Sequence, residues 1–63
     1  MCESNVYLEE NGTQTEFMKE VAKLEINGNN IICYDIIGER REVTDGKIKL
    51  ADLMNHKIII EKI

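Results

Sequence analysis

Glycines that follow Asn or Asp divide this chain into short segments. The dipeptides Asn11-Gly12, Asn27-Gly28 and Asp45-Gly46, together with Gly38, recur about every 8 to 18 residues. Asn-Gly and Asp-Gly are favoured in two-residue hairpin turns, because both central residues of a type I′ turn need a positive φ. This spacing predicts a small all-β sandwich or barrel.

Most segments between these turns have the alternating pattern of β-strands. The charged segment 39–44 is expected at a sheet edge, and a change of phase after Leu50 predicts a β-bulge near Ala51. Asn55-His56 is expected to form the turn before the last strand. The predicted strands are 2–9, 30–37, 39–44, 47–54 and 57–63.

The segment 16–25 allows two interpretations. It is rich in helix formers, and Phe17, Val21 and Leu24 are spaced as on one face of a helix. A free helix of ten residues is marginal in water, so its surroundings decide its structure. Because the rest of the chain is β-rich, we expect two short strands here with a bend near Glu20.

Length and charge narrow the classes of protein that this chain can represent. Its 63 residues predict one domain, 1–63, too small to enclose a deep catalytic pocket. The net charge of −4 argues against nucleic-acid binding, which needs a basic surface. Two cysteines are too few for a disulfide scaffold. With neither a signal-peptide pattern nor a long apolar run, the expected location is the cytoplasm, without membrane attachment.

The last strand and the segment 30–37 carry isoleucines on both faces. A small barrel buries only one face of each strand, so the second face is expected to be an exposed apolar patch that favours association. We therefore expect a homodimer. The alternative is that these isoleucines are ordinary, scattered surface residues with no role in association.

Catalytic patterns are missing from the sequence. No Ser-His-Asp motif is recognisable around the single histidine, and neither a phosphate-binding glycine motif nor C-x-x-C occurs. The pair Glu9-Glu10 is interpreted as a solvated face beside a turn. The sequence therefore predicts a protein that is not an enzyme.

Cys2 is the residue whose side-chain chemistry points most clearly to a function. A thiolate with neighbouring backbone nitrogens forms a planar set of sulfur and nitrogen donors, which suits Ni(II) or Cu(II) better than Zn(II). One chain supplies few strong ligands, but two chains related by a two-fold axis would supply two thiolates. A cysteine in this position can also be incidental, and whether Met1 is removed is left open.

The other candidate residues have simpler interpretations. Cys33, within Ile-Ile-Cys-Tyr, is expected to be a small buried apolar residue. His56 is expected in a turn, with a supporting role near a metal as the alternative. Met18 and Met54 are expected to pack in the interior. Tyr7 is interpreted as a packing or interface residue.

The opening Met1-Cys2-Glu3-Ser4-Asn5-Val6-Tyr7-Leu8 resembles the start of the CooT family of small nickel-binding proteins. Further matches include Gly46-Lys47-Ile48 and His56-Lys57-Ile58, so the resemblance spans essentially the whole chain. HypC-type chaperones also begin Met-Cys, but this chain lacks the Ala-Val-Pro-Gly that follows there and contains no proline.

The resemblance implies a small SH3-like β-barrel of six to seven short strands, often dimeric, with Cys2 as the metal ligand. It implies a Ni(II)-binding accessory protein, or metallochaperone, that delivers or buffers nickel for carbon monoxide dehydrogenase. Some members of the family were once labelled RNA-binding. The alternative is therefore an RNA-binding or protein-interaction barrel in which Cys2 has no metal role.

Overall fold

The computed structural model describes residues 3–63, which form six β-strands and no helix. The prediction of an all-β fold is confirmed, and the helical interpretation of 16–25 is wrong for the described chain. No helix that is long and apolar enough to cross a membrane occurs within residues 3–63. The strands are β1 (Ser4–Glu10), β2 (Thr13–Asn27), β3 (Asn30–Asp35), β4 (Arg40–Val43), β5 (Gly46–Asp52) and β6 (Lys57–Lys62).

The six strands form one sheet in the order β4-β3-β2-β1-β6-β5. β1 and β6 pair in parallel, with Val6 opposite Ile58, and the other neighbouring strands pair antiparallel. β4 and β5 are the edges, as expected for the charged segment 39–44. Within residues 3–63 the sheet is not closed into a complete barrel, and its six strands are compatible with the predicted SH3-like fold.

A left-handed residue bends β2 in its middle. Glu20 has a φ of 56°. The residues before it pair with β1, those from Lys23 onward pair with β3, and Val21 pairs with both strands. This rotation turns both Met18 and Val21 toward the core. The predicted bend is confirmed, but the two predicted short strands are one continuous strand of 15 residues.

The hairpin turns lie at or beside the predicted dipeptides. Asn11 and Gly12 have φ values of 54° and 79°, which fit the predicted turn between β1 and β2. The next turn is one residue later than predicted, because Asn27 still pairs with Asn30 and Gly28 adopts the positive φ of 63°.

The predicted irregularity in β5 is present, two residues before Ala51. Ile48 faces Ile60 and Leu50 faces Ile59, so Lys49 is the extra residue of a bulge. A bulge redirects side chains and increases the local twist, and here the Lys49 ammonium reaches the Glu9 carboxylate of β1.

The core lies against one face of the sheet and is mostly aliphatic. Complete burial of such a side chain stabilises the fold by about 1.5–3 kcal/mol relative to its exposure. Ile59 is buried outside this cluster, on the other face of β6. The buried residues of the core cluster are Val6, Met18, Val21, Ile31, Cys33, Val43, Ile58 and Ile60.

Several large apolar side chains stay exposed within residues 3–63. Met54 is 88% exposed, so its predicted packing role is wrong, whereas Met18 is buried as predicted. Four of the exposed side chains occupy two loops, the β3–β4 loop and the β5–β6 turn. The exposed set is Ile26, Ile36, Ile37, Leu50, Leu53, Met54 and Ile63.

Candidate functional site

Cys2, the predicted metal ligand, lies outside the described residues, and so does Met1. The structure does describe the place where the chain enters the sheet. That place is the start of β1 at Ser4.

Three segments meet at the start of β1. Ser4 is buried and pairs with Val21 of β2. The Asn5 backbone N–H donates to the His56 carbonyl over 2.9 Å, and the Glu20 backbone N–H donates to Asn5 Oδ1 over 3.3 Å. We refer to Ser4, Asn5, Glu20 and His56 as the β1 entry. These contacts place His56 at the end of the sheet where β1 begins.

His56 lies in the predicted turn. The turn between β5 and β6 covers residues 53–56, and His56 ends it with a φ of 54°. The residue is exposed, while its carbonyl is engaged by Asn5. His56 is thus held in place through its backbone, and its imidazole is accessible on the outside of the β1 entry.

A shallow apolar groove of about 260 Å³ adjoins the β1 entry. Leu53, which is 72% exposed, lines it together with the buried Ile58. The one charged lining residue is Lys23, whose ammonium lies 3.7 Å from a Glu25 oxygen and 4.4 Å from the centre of the Tyr34 ring. The groove walls are Ser4, Val21, Ala22, Lys23, Leu24, Leu53 and Ile58.

The apolar loops lie at this same end. The Ile36 backbone N–H donates to the Glu20 carbonyl over 3.1 Å, which places the β3–β4 loop against the β1 entry. Leu53 and Met54 belong to the turn that ends at His56. Exposed apolar side chains beside a groove are typical of interaction surfaces.

Cys33 is confirmed as a buried apolar residue. Its relative exposure is 0%, and burial raises the pKa of its thiol to about 11, against a smaller opposite effect of Arg41. A thiol that is protonated and sealed in the core is a poor metal ligand, because metal binding requires the thiolate.

Within residues 3–63, no group of three His, Cys, Asp or Glu side chains is arranged to hold a metal ion. Cys2 lies outside this range, so metal ligation by Cys2 stays a prediction.

All three aromatic side chains of the protein have a cation over the ring. Lys23 lies over Tyr34, Arg41 lies 4.1 Å from the Phe17 ring centre, and Lys57 lies 5.3 Å from the Tyr7 ring centre. Proteins that bind single-stranded nucleic acid stack bases on exposed rings. Rings occupied by the chain's own cations do not provide such a platform.

One polar cluster was missed from the sequence. Glu9 was expected on a solvated face, but it is only 7% exposed and accepts hydrogen bonds from Lys49 Nζ and Gln14 Nε2. The Lys49 and Gln14 hydrogen bonds lower the pKa of the Glu9 carboxyl, and the Glu9 hydrogen bond raises the pKa of Lys49. The short sequence distance to Gln14 was a signal, whereas Lys49 lies forty residues away.

Fold and site define a small SH3-like protein with an accessible strand entry beside a shallow groove. The chain belongs to the CooT family: the family model described as CO dehydrogenase accessory protein CooT matches residues 1–61. This membership assigns the chain to a family of accessory proteins.

Three relatives show how far the similarity extends. A crystal structure provisionally assigned as CooT from Carboxydothermus hydrogenoformans superposes with a TM-score of 0.85 at 27% identity, covering 98% of each chain. An uncharacterized protein of Methanocaldococcus jannaschii is 38% identical over 61 residues, 97% of this chain and 98% of that protein. An uncharacterized protein of Archaeoglobus fulgidus is 39% identical over 44 residues, 70% of this chain and 96% of that one.

Proposed function

We propose that this chain binds Ni(II) through the Cys2 thiolate and delivers or buffers it for a nickel enzyme, as an accessory protein in carbon monoxide dehydrogenase maturation. The observation that carries the proposal is the family match, which begins at residue 1 and so includes Cys2. The role needs no catalysis, and it suits the cytoplasm, where thiols stay reduced.

The donor set supports nickel as the cargo. Of the two cysteines in the chain, Cys33 is sealed in the core, so the proposal takes Cys2 as the sulfur donor. The Asn5 N–H is already bonded to His56. The backbone nitrogens that complete the plane are therefore those of residues 1–3, and the imidazole of His56 is the candidate for a supporting contact. Thiolate with nitrogen in a planar array is a ligand set that Ni(II) accepts.

The proposal includes a homodimer. Leu53, Met54, Ile36 and Ile37 are exposed around the β1 entry. A second copy would cover these side chains, and a two-fold axis near Cys2 would bring two thiolates to one ion. Nickel bound between two chains would also stabilise the dimer by mass action.

The proposal is tested by titrating Ni(II) into wild type, Cys2→Ser and the matched control Cys33→Ser. Thiolate-to-nickel charge-transfer absorption reports ligation by sulfur. Cys2→Ser is expected to lose this absorption and to bind at least about 100-fold more weakly, since even outer-shell changes cost 10- to 100-fold. Cys33→Ser is expected to bind as wild type. Equal binding by Cys2→Ser and wild type would refute the assignment.

Native mass spectrometry tests the assembly separately. One nickel ion per two chains is expected. One nickel ion bound to a single chain would refute the two-fold site while leaving ligation by Cys2 in place.

A further inference from the structure

β2 is a single strand whose two halves pair with different neighbours. It runs for 15 residues, and the bend at Glu20 divides it. The half before the bend forms a hairpin with β1, and most of the half after it pairs with β3. We refer to residues 4–19, which comprise β1 and the first half of β2, as the first hairpin. We propose that Glu20 is a hinge at which β2 can straighten, so that two copies of this chain exchange their first hairpins. This inference goes beyond the proposed function and does not depend on nickel.

The length of β2 determines what straightening does to the molecule. A fully extended strand of 15 residues spans about 48 Å, at roughly 3.4 Å per residue. The described molecule measures only 31 Å along its longest axis. A straight β2 therefore reaches beyond the closed molecule and carries the first hairpin away from the β6 of its own chain. The hairpin then needs the β6 of a second copy.

The contacts that hold the first hairpin against the remainder of the chain can form equally well between two copies. β1 pairs in parallel with β6 over five residue pairs. Lys49 Nζ donates to the Glu9 carboxylate, and the Arg41 guanidinium donates to the Phe17 carbonyl. Exchange moves these contacts from within one chain to between two chains and loses none of them. Such an exchange of identical elements is a low-cost route to a dimer.

Two hydrogen bonds belong to the bent form alone. The Glu20 N–H donates to Asn5 Oδ1, and the Glu20 carbonyl accepts from the Ile36 N–H. A two-fold axis through the hinge places the two straight β2 strands antiparallel to each other, so the backbone groups of residue 20 can pair across the dimer instead.

The hinge residue is strained in the closed chain. Glu20 has a φ of 56°, although it carries a Cβ and its side chain is exposed. A left-handed backbone disfavours such a residue by about 5- to 30-fold. A dimer contains two hinges, so the release of strain favours exchange by about 30- to 900-fold. Closure within one chain opposes it, because that chain offers its own β6 at an effective concentration in the mM range. Exchange is therefore expected when chains refold at about this concentration, and the closed monomer is expected in dilute solution.

The test is refolding in the absence of metal. Wild type and variants are refolded from urea at about 1 mM chain, with a chelator to remove nickel and a reductant to keep the thiols reduced. Each sample is then strongly diluted and analysed at once by size-exclusion chromatography. A swapped dimer separates only when its chains unfold, so it persists after dilution, whereas a dimer held by surface contacts dissociates.

Wild type is expected to give a persistent dimer, and two substitutions of Glu20 should change its amount in opposite directions. Glu20→Gly should weaken the swapped dimer about 30- to 900-fold, because glycine adopts the positive φ freely. Glu20→Val should increase the persistent dimer, because a β-branched residue rarely adopts a positive φ. Lys19→Val is the matched control, since it adds the same side chain at the neighbouring exposed position of β2, which lacks a positive φ. It should behave as wild type.

The absence of a persistent dimer in wild type would overturn the proposal, as would equal amounts of dimer from wild type and Glu20→Gly. These two comparisons decide the matter even if Glu20→Val does not fold. An increase in Lys19→Val as large as that in Glu20→Val would also overturn it, because the effect would then be one of strand propensity.

Isotope labelling identifies which strands have been exchanged. Val6 of β1 lies opposite Ile58 of β6, and both side chains are buried in the core. When labelled and unlabelled chains are refolded together, an isotope-filtered nuclear Overhauser effect between the Val6 and Ile58 methyl groups reports a contact between two chains. This signal is expected in the persistent dimer and not in the monomer. A persistent dimer without it would be held by other contacts and would overturn the proposal.

Discussion

Gly46 occupies a position where no side chain fits, and its replacement by alanine gives a sharp test of the packing. The residue begins β5, is buried, and donates its N–H to the Asn29 carbonyl over 2.8 Å. A Cβ at this position would lie 2.9 Å from Ile60 Cγ2 and 2.9 Å from Val43 Cγ1, both on buried side chains. Alanine therefore forces one or both neighbours to move.

The expected cost follows from two opposing effects. Overpacking of a core typically costs about 1–3 kcal/mol, and the lower entropy of the unfolded alanine chain returns about 0.4–1 kcal/mol. We expect Gly46→Ala to be destabilised by about 1–2 kcal/mol, which lowers Tm by about 4–16 °C in a domain of this size. Urea and thermal unfolding followed by circular dichroism measure both quantities.

A double-mutant cycle with Val43→Ala separates crowding from other causes. Val43→Ala alone removes two buried methyl groups and should cost about 2 kcal/mol. It also removes Cγ1, one of the two obstructing atoms. The double variant should be about 1 kcal/mol more stable than the sum of the single effects. Strict additivity, or a Gly46→Ala protein as stable as wild type, would refute the reasoning.

Three further changes have defined outcomes. Glu20→Gly should stabilise the protein by about 0.5 kcal/mol in urea unfolding, because glycine adopts the positive φ freely. Destabilisation would contradict the strain at this residue. Glu9→Gln should lose stability in full at neutral pH, and this loss should shrink below about pH 4.5. The reason is that a carboxyl with a lowered pKa stabilises the fold only while it is ionised. A loss that does not depend on pH would contradict the pairing with Lys49. Cys33→Ser should lower the free energy of unfolding by about 1–3 kcal/mol, since it buries a hydroxyl in an aliphatic core. In the wild type, the Cys33 thiol should resist alkylation until the protein unfolds. Rapid alkylation of the native protein at Cys33 would contradict its burial.

Features set by neighbouring residues were predictable from the sequence. The Asn11-Gly12 turn follows from the φ requirements of two adjacent residues, and the edge position of 39–44 follows from its own charges. Because both depend on local chemistry, the strands were placed to within a few residues. The burial of Cys33 likewise follows from its apolar neighbours in the strand.

The bend at Glu20 shows how a correct pattern can mislead. A left-handed residue in a strand allows Phe17 and Val21, four residues apart in the predicted pattern, to pack on the same core. That spacing imitates one turn of a helix, so periodicity alone cannot separate a bent strand from a short helix. The surrounding turn pattern favoured the strand, which the structure confirms.

Contacts between residues that are far apart in the sequence could not be predicted from the sequence pattern. The parallel pairing of β1 with β6 and the reach of Lys49 to Glu9 join residues from opposite halves of the chain. The β1 entry is assembled in the same way, from Asn5, Glu20 and His56, so only two of its members, Ser4 and Asn5, are neighbours in the sequence. Cys2 could be selected by its chemistry from the sequence alone, whereas the contacts among Asn5, Glu20 and His56 required the fold.

The parallel alignment of the first and sixth strands also sets an order of events during synthesis. A ribosome releases β1 long before it releases His56 and β6, so the early strand waits, with one edge unsatisfied, until nearly the entire described chain has emerged. If nickel binds at residue 2, an incomplete nascent chain already contains the Cys2 sulfur but has not yet formed the six-stranded sheet. Metal loading is therefore expected to follow completion of the sheet, and a truncated product would be a poor competitor for scarce ions.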